Sequence, residues 1–341
     1  MKRLLTACSL AFGVVLATVA LAVPASAVTI DVFPGESIQA AVHAAVPGDT
    51  IVVHAGTYNE SVSIHKDDIT IQGEGGLETG TVLMPPTAAT RVCGHGAYGI
   101  CVFSQAGTVS GVHISGFRVE GFPVFGILAF GTAGLMIENN TLVNDGEYGA
   151  AAFSTTHTSM IGNTSTGNSI GLYIGDSPRA HAELAGNDVF GNGEFGIFLR
   201  SAAVGEIHDN SIHENCSGIF MLNEGTITPH DWQIHDNDIS KNNAFCPGDE
   251  QGSPPLSGVG IILIGADHNT IRGNVFGRNR PSHAVPFSGG VLLVSPPDPP
   301  GLHPDGNRIV HNTFTSNKPQ VFSDGTGHRN VVQHNQCSPA C

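Results

Sequence analysis

The chain has 341 residues, of which 13% are charged and 6% aromatic, and it carries 44 glycines. Glycine has no three-residue period, which excludes a collagen-like rod. Acidic residues outnumber Lys plus Arg by 29 to 14, for a net charge of −15, and so exclude nucleic acid and anionic membrane surfaces as partners.

Lys2 and Arg3 precede an apolar run over residues 4–23, and Pro24-Ala25-Ser26-Ala27 follows it. This order predicts a secretory signal peptide over residues 1–27 and a mature chain over 28–341, secreted or periplasmic. No later run is long and apolar enough to span a bilayer. Cys8 leaves with the leader, and six cysteines remain: Cys93, Cys101, Cys216, Cys246, Cys337 and Cys341. An even number in an exported chain points to disulfides. Six cysteines allow 15 pairings, and chain order favours local closure of Cys93 with Cys101, Cys216 with Cys246 and Cys337 with Cys341. No C-x-x-C pair is present to suggest zinc.

Within residues 37–46, Ile38, Ala41, Val42 and Ala45 fall on one helical face. A short amphipathic helix here would cap the open end of a solenoid. Pro47-Gly48-Asp49 then turns the chain into an apolar strand over 50–54. Gly56-Thr57-Tyr58, Val62-Ser63-Ile64 and Ile69-Thr70-Ile71-Gln72-Gly73 follow.

From residue 137 onward one unit recurs: an apolar residue, then Asn three residues later, then Asn again five residues on. The first Asn is Asn140, Asn163, Asn187, Asn210, Asn237, Asn274, Asn312 and Asn335. The second is Asn168, Asn192, Asn215, Asn242, Asn279 and Asn317, with Asp145 in the earliest copy. Upstream, Gly126, Gly149, Gly171, Gly196, Gly218, Gly260 and Gly290 each open a short apolar strand. The basic period is 22 to 25 residues. One such coil cannot bury its apolar side, so coils stack, strand beside equivalent strand, as parallel sheets. About ten coils at ~4.8 Å each give a rod of about 50 Å. The asparagines would form ladders, since Asn tolerates left-handed corners and its amide bonds well to its neighbours. A leucine-rich repeat has a similar period, but its Leu signature and helix are missing.

The run from Ile38 to Gly75 resembles the opening of the pectate-lyase-like right-handed parallel β-helix superfamily. That opening has a capping helix, P-G-D-T, a strand, G-T-Y and an I-x-x-x-G turn, and each stands here. The later units are similar to the generic repeats of secreted bacterial β-helix proteins, including the NosD family. The resemblance covers residues 38–337 and implies an all-β, single-domain solenoid of about ten coils. It leaves function open, because this fold hosts lyases, hydrolases, epimerases, adhesins and non-catalytic proteins.

Alternation along the Gly-led strands points Leu128, Ala151, Tyr173, Phe198, Phe220, Ile262 and Leu292 outward. Such a stripe needs a cover: a loop, a tail or a second copy of the chain side by side, unless it stays a monomer. Alternatively, Tyr173, Phe198 and Phe220 form a platform on which sugar rings stack. Inserts at 222–231, 243–256, 280–287 and 295–305 break the period and bring acids and histidines such as Glu224, Asp249, Glu250, His283, Asp298, His303 and Asp305. Within the first, Thr228-Pro229-His230-Asp231 resembles the Asp-Pro-His-Asp motif of mannuronan epimerases. The resemblance implies His230 as base beside Asp231, with Arg200 neutralising a uronate carboxylate. Thr228 departs from that motif. A hydrolase would instead use Asp209 and Asp236, which occupy equivalent places in adjacent coils. His208 and His235 flank them and could add metal ligands, as a NosD-like copper-handling role would need.

These features predict a protein that binds or processes polysaccharide or a cell-envelope glycan by lyase, epimerase or hydrolase chemistry. A non-catalytic envelope protein and a copper-handling accessory are the alternatives. With only Lys66, Lys241 and Lys318 in the mature chain, tight binding of a polyuronate calls for calcium.

Overall fold

A computed structural model describes residues 26–341 except 76–78, 89, 105–106, 249–253 and 298. The expected leader therefore lies almost wholly outside the described residues, as do Asp249, Glu250 and Asp298.

The chain winds as a parallel β-helix whose three sheets contain 12, 11 and 10 strands. A coil crosses each sheet once, and neighbouring strands in a sheet come from successive coils. The first sheet begins at Thr29–Val32 and ends at Val331–Gln333. Its central row runs Ile114, Ile137, Met160, Leu184, Ile207, Ile234, Ile271 and Ile309 in register, all completely buried. Rows from the other two sheets meet it, so the core is a column of stacked aliphatic side chains. Among the described residues no helix is long and apolar enough to cross a membrane.

The capping helix, Ile38–Ala44, is held at both ends by charges from the first coils. Glu60 accepts from the Ile38 N–H at 2.7 Å and the Gln39 N–H at 3.2 Å. Lys66 Nζ donates to the carbonyls of His43 and Ala45 at 2.7 and 2.6 Å. Anion at the N-terminus and cation at the C-terminus is the arrangement that the helix dipole favours.

Asparagine amides tie one coil to the next. Asn210 Oδ1 accepts from both the backbone N–H and Nδ2 of Asn187, each at 2.9 Å. Asn210 Nδ2 in turn donates to Asn237 Oδ1 at 2.8 Å and to the Leu184 carbonyl at 2.8 Å. The pattern repeats along both ladders, and the buried amides are thereby satisfied. A third, shorter ladder joins Asn269, Asn307 and Asn330 at another corner.

The glycine column follows from the second ladder. None of the column glycines from Gly126 to Gly290 has a positive φ, so conformational freedom does not explain them. Space does: a Cβ on Gly196 would stand 2.7 Å from the Gly218 carbonyl oxygen and 3.0 Å from Asn215 Nδ2. The other column members meet the next coil in the same way.

Asp145 opens the second ladder as an acid in an amide's place. Its Oδ1 accepts from the Phe122 N–H at 3.0 Å, while Oδ2 has no hydrogen-bond partner among the described residues. Burial pushes its carboxyl from 3.8 up to about 8, against the Phe122 hydrogen bond and with help from Glu120. The folded chain thus holds a proton that the unfolded chain releases. The associated stability is complete below about pH 4 and is lost as pH rises through about 8. Asp145→Asn supplies an uncharged donor, as Asn168 does toward the Leu142 carbonyl. The substitution should raise the thermal midpoint by several degrees at pH 8 and by much less at pH 4. Equal shifts at both pH values would contradict this account.

Candidate functional site

The outer face of the third sheet carries the apolar stripe in register: Leu128, Ala151, Tyr173, Phe198, Phe220, Ile262 and Leu292. It is not an open platform. Tyr173 is completely buried, and Phe198 and Phe220 keep only 9% and 8% of their surface. The rings cover one another: Tyr173 meets Phe153 at 4.7 Å and Phe198 at 5.3 Å, and Phe195 stacks on Phe220 at 4.2 Å. The insert after Asn242 completes the cover. Cys246 and Leu256 exchange backbone hydrogen bonds of 2.9 and 3.0 Å and pack on the stripe, and Cys216–Cys246 anchors them. Strand parity gives the direction of these side chains but not what lies above them. The expected sugar platform is therefore corrected at Tyr173, Phe198 and Phe220, whose cover is the chain's own. Burial also pushes the Tyr173 phenol well up, away from any role as a base at neutral pH. Phe198→Ala should cost about 3 kcal/mol, the scale of a buried aromatic truncation, and leave glycan binding intact. Lost binding at unchanged stability, read by thermal unfolding and glycan titration, would restore the platform.

Arg200, His230 and Asp231 lie at the corner between the third and first sheets. Arg200 Nε sits 2.9 Å from Glu224 Oε2, with Asp176 Oδ1 3.7 Å from the guanidinium. His230 Nδ1 meets Asp231 Oδ2 at 2.9 Å. The Arg200 charge thus already has two carboxylates, and His230 is hydrogen-bonded to its own neighbour. Asp231 has φ 56°, a left-handed corner residue like Val204 and His268 one coil either side. The remaining cysteines pair as Cys93–Cys101 and Cys337–Cys341.

His208 and His235 stand in register on the first sheet, their rings stacked at 5.1 Å. Each Nδ1 meets the carboxylate of the next residue, Asp209 at 2.8 Å and Asp236 at 2.9 Å. Burial works against charge on His208, but Asp209 and Glu183 prevail and hold its imidazole above the ordinary value. Asp209 and Asp236, with φ 56° and 57°, fill left-handed corners that Gly162 and Gly186 fill in earlier coils. The rings lie face to face instead of converging. No group of three or more His, Cys, Asp or Glu among the described residues could hold a metal ion. Asp209 and Asp236 thus form the turn and pair with the histidines beside them.

A groove that the sequence reading missed lies on the outer face of the second sheet. It encloses about 360 Å³ between Ser211, His213, Glu214, Asp238, Ser240, Lys241, Gly277, Arg278 and Thr315. Three successive strands, Ser211–His213, Asp238–Ser240 and Val275–Gly277, form its floor. Gly277 leaves that floor bare beside Ser240. His213 stacks on Phe190 at 5.0 Å, and its Nε2 lies 3.3 Å from Asp188 Oδ1 while Nδ1 is 3.8 Å from Glu214 Oε1.

One rim is a column of left-handed corners. Gly167 and Gly191 hold it in early coils, but Glu214, Lys241 and Arg278 follow, with φ 60°, 55° and 58°. A side chain in this region costs about 1–2 kcal/mol relative to glycine. Lys241 and Arg278 form no ion pair among the described residues, although the chain is strongly acidic. Residues held in strained backbone recur at functional sites. The signal was readable: the residue before each second-ladder Asn changes from Gly to Glu, Lys and Arg.

The model of the right handed beta helix region family matches residues 98–276. No curated protein matches the chain. Several solved structures share its fold. An alginate lyase from Paenibacillus sp. str. FPU-7 is 14% identical, with TM-score 0.59, over 91% of this chain and 99% of its own. The A-module of a mannuronan C-5 epimerase from Azotobacter vinelandii is 16% identical, with TM-score 0.51, over 85% and 82%. ORF18 of Geobacillus virus E2 is 15% identical, with TM-score 0.62, over 87% of this chain but only 56% of the viral one. At these identities the likeness is one of fold.

Proposed function

Because the chain belongs to the right-handed β-helix region family, we propose that it binds and processes an acidic polysaccharide in the groove of its second sheet. The carrying observation is the pair Lys241 and Arg278: unpaired cations at strained corners one coil apart. The spacing of a coil roughly matches that of a sugar along a glycan, so successive carboxylates would meet successive cations. The alginate lyase and the mannuronan epimerase of like fold, which by name act on polyuronates, support this substrate class. The three disulfides support an extracellular or periplasmic site of action.

Uronate chemistry begins with loss of the C5 proton, which is hard beside an anionic carboxylate. Neutralising that carboxylate stabilises the carbanion-like charge that develops. Lys241 and Arg278 supply the neutralisation. His213, set against Phe190 and flanked by Asp188 and Glu214, is the base. Return of a proton to the opposite face gives epimerisation, and departure of the C4 oxygen gives elimination.

The test is a screen of the purified chain on alginate, pectate and pectin, with and without calcium. It reads absorbance near 235 nm for unsaturated ends and NMR for epimers. Lys241→Gly and Arg278→Gly should each weaken binding or turnover by about tenfold or more, the loss of one charged hydrogen bond. The same changes should hold or raise the thermal midpoint, since glycine relieves the corner strain. His213→Ala should abolish turnover but retain binding. Binding by the parent chain without turnover would leave a carbohydrate-binding protein. Activity that falls instead with His230→Ala or Asp231→Ala would move the site to the corner insert. No binding to any glycan would overturn the proposal.

A further inference from the structure

The outward row of the third sheet is apolar from Leu128 onward, but its first member is Ser63, paired in register with Cys101. Ser63 lines a cavity of about 430 Å³ between the capping helix and the loop before Cys93, with His43, His65 and Arg91 among its other walls. A hydroxyl at the head of an apolar row, opening into a polar cavity, is unexplained by the stacking of the coils.

Its partner is His65, two residues along the same strand edge. Ser63 Oγ lies 2.5 Å from His65 Nε2. His65 Nδ1 lies 2.6 Å from the Phe103 carbonyl oxygen, and the Phe103 ring meets the imidazole edge-on at 4.6 Å. A carbonyl only accepts, so Nδ1 carries a proton, and in the neutral tautomer Nε2 is then the acceptor. Ser63 must then be the donor. This is a nucleophile bonded to a base, with a third group orienting the base.

The surroundings are rigid. Gln39 of the capping helix clamps the Ser63 backbone from both sides, accepting from its N–H at 2.7 Å and donating to its carbonyl at 3.2 Å. The Cys93–Cys101 disulfide pins the loop that brings Arg91 to the cavity wall, a positive charge available to a developing oxyanion.

We propose that Ser63 and His65 form a second centre, separate from the groove, that hydrolyses small acyl esters such as O-acetyl groups carried on a glycan. Ser63 Oγ attacks the ester carbonyl carbon as His65 Nε2 takes its proton. The ester C–O bond then breaks, and the leaving alcohol takes that proton from His65. Water attacks the acyl-serine, giving its proton to Nε2. The Ser63 Oγ–acyl bond breaks, Oγ recovers the proton, and the carboxylic acid departs. No redox partner or metal is required. The cavity is open, which suits an acyl group presented on a chain instead of a free ligand enclosed whole.

The purified chain is treated with a fluorophosphonate probe and digested, and the labelled peptide is read by mass spectrometry. Hydrolysis of p-nitrophenyl acetate and release of acetate from chemically acetylated alginate are followed in parallel. The expected result is a label on Ser63 and esterase activity that drops at least 100-fold in Ser63→Ala and in His65→Ala. Added imidazole should restore part of the His65→Ala activity and none of the Ser63→Ala activity. The label on the unaltered chain decides the matter even if a variant fails to fold. No labelled serine, or label and activity that persist in folded Ser63→Ala, would overturn the proposal.

Discussion

The buried amide-to-amide hydrogen bond between coils is the interaction on which the molecule depends. A solenoid must turn sharply at each corner, and each turn leaves backbone groups that the sheets cannot satisfy. The Asn side chain meets that need while staying within one coil's thickness. Its Oδ1 receives the N–H of the preceding coil's Asn, and its Nδ2 reaches both the next amide and a carbonyl of the preceding coil. The glycine column, the left-handed residue before each Asn and the spacing of the sheets all follow from seating this amide. Where the pattern lapses, at Asp145, the carboxyl has to keep a proton to remain there.

Such a scaffold leaves few positions at which chemistry can be placed cheaply. Inward residues fill the core, and the outward face of the third sheet is covered by its own rings and an insert over most of its length. What remains are the corners, the outer faces of the other two sheets and the first coils of the third, where Ser63 opens into a cavity. On the first sheet His208 is set between the carboxylates of Asp209 and Glu183. On the second sheet, Lys241 and Arg278 form no ion pair among the described residues.

The repeat, both long ladders and the capping helix were legible because they depend on period and on amide chemistry, which are properties of the chain alone. The third ladder escaped notice because it has only three rungs, Asn269, Asn307 and Asn330, set behind inserts that blur the period. The stripe was legible in direction but not in exposure, since its cover comes from Phe195, Cys246 and Leu256, which lie far away in sequence or outside the strand pattern. Arg200 was legible as a cation near the first insert. Its engagement by Glu224 depends on how that insert folds back, which no local pattern encodes. The groove is less legible for another reason: its cations stand directly before Asn242 and Asn279, where the repeat pattern marks only the flank of a ladder.

The two long ladders stay five residues apart in every coil, from Asn140 and Asp145 to Asn312 and Asn317, and no insert falls at the first-ladder corner between the first and second sheets; the four inserts follow the second ladder or lie between the third and first sheets. One edge of the rod is therefore closed to length variation, and two are open. Gene duplication or loss in this chain would succeed in whole coils, which preserve the amide register. Small insertions would accumulate along the open edges alone. The closed edge would remain smooth and near-invariant in length through descent, and the open edges would supply the variety from which new binding surfaces arise.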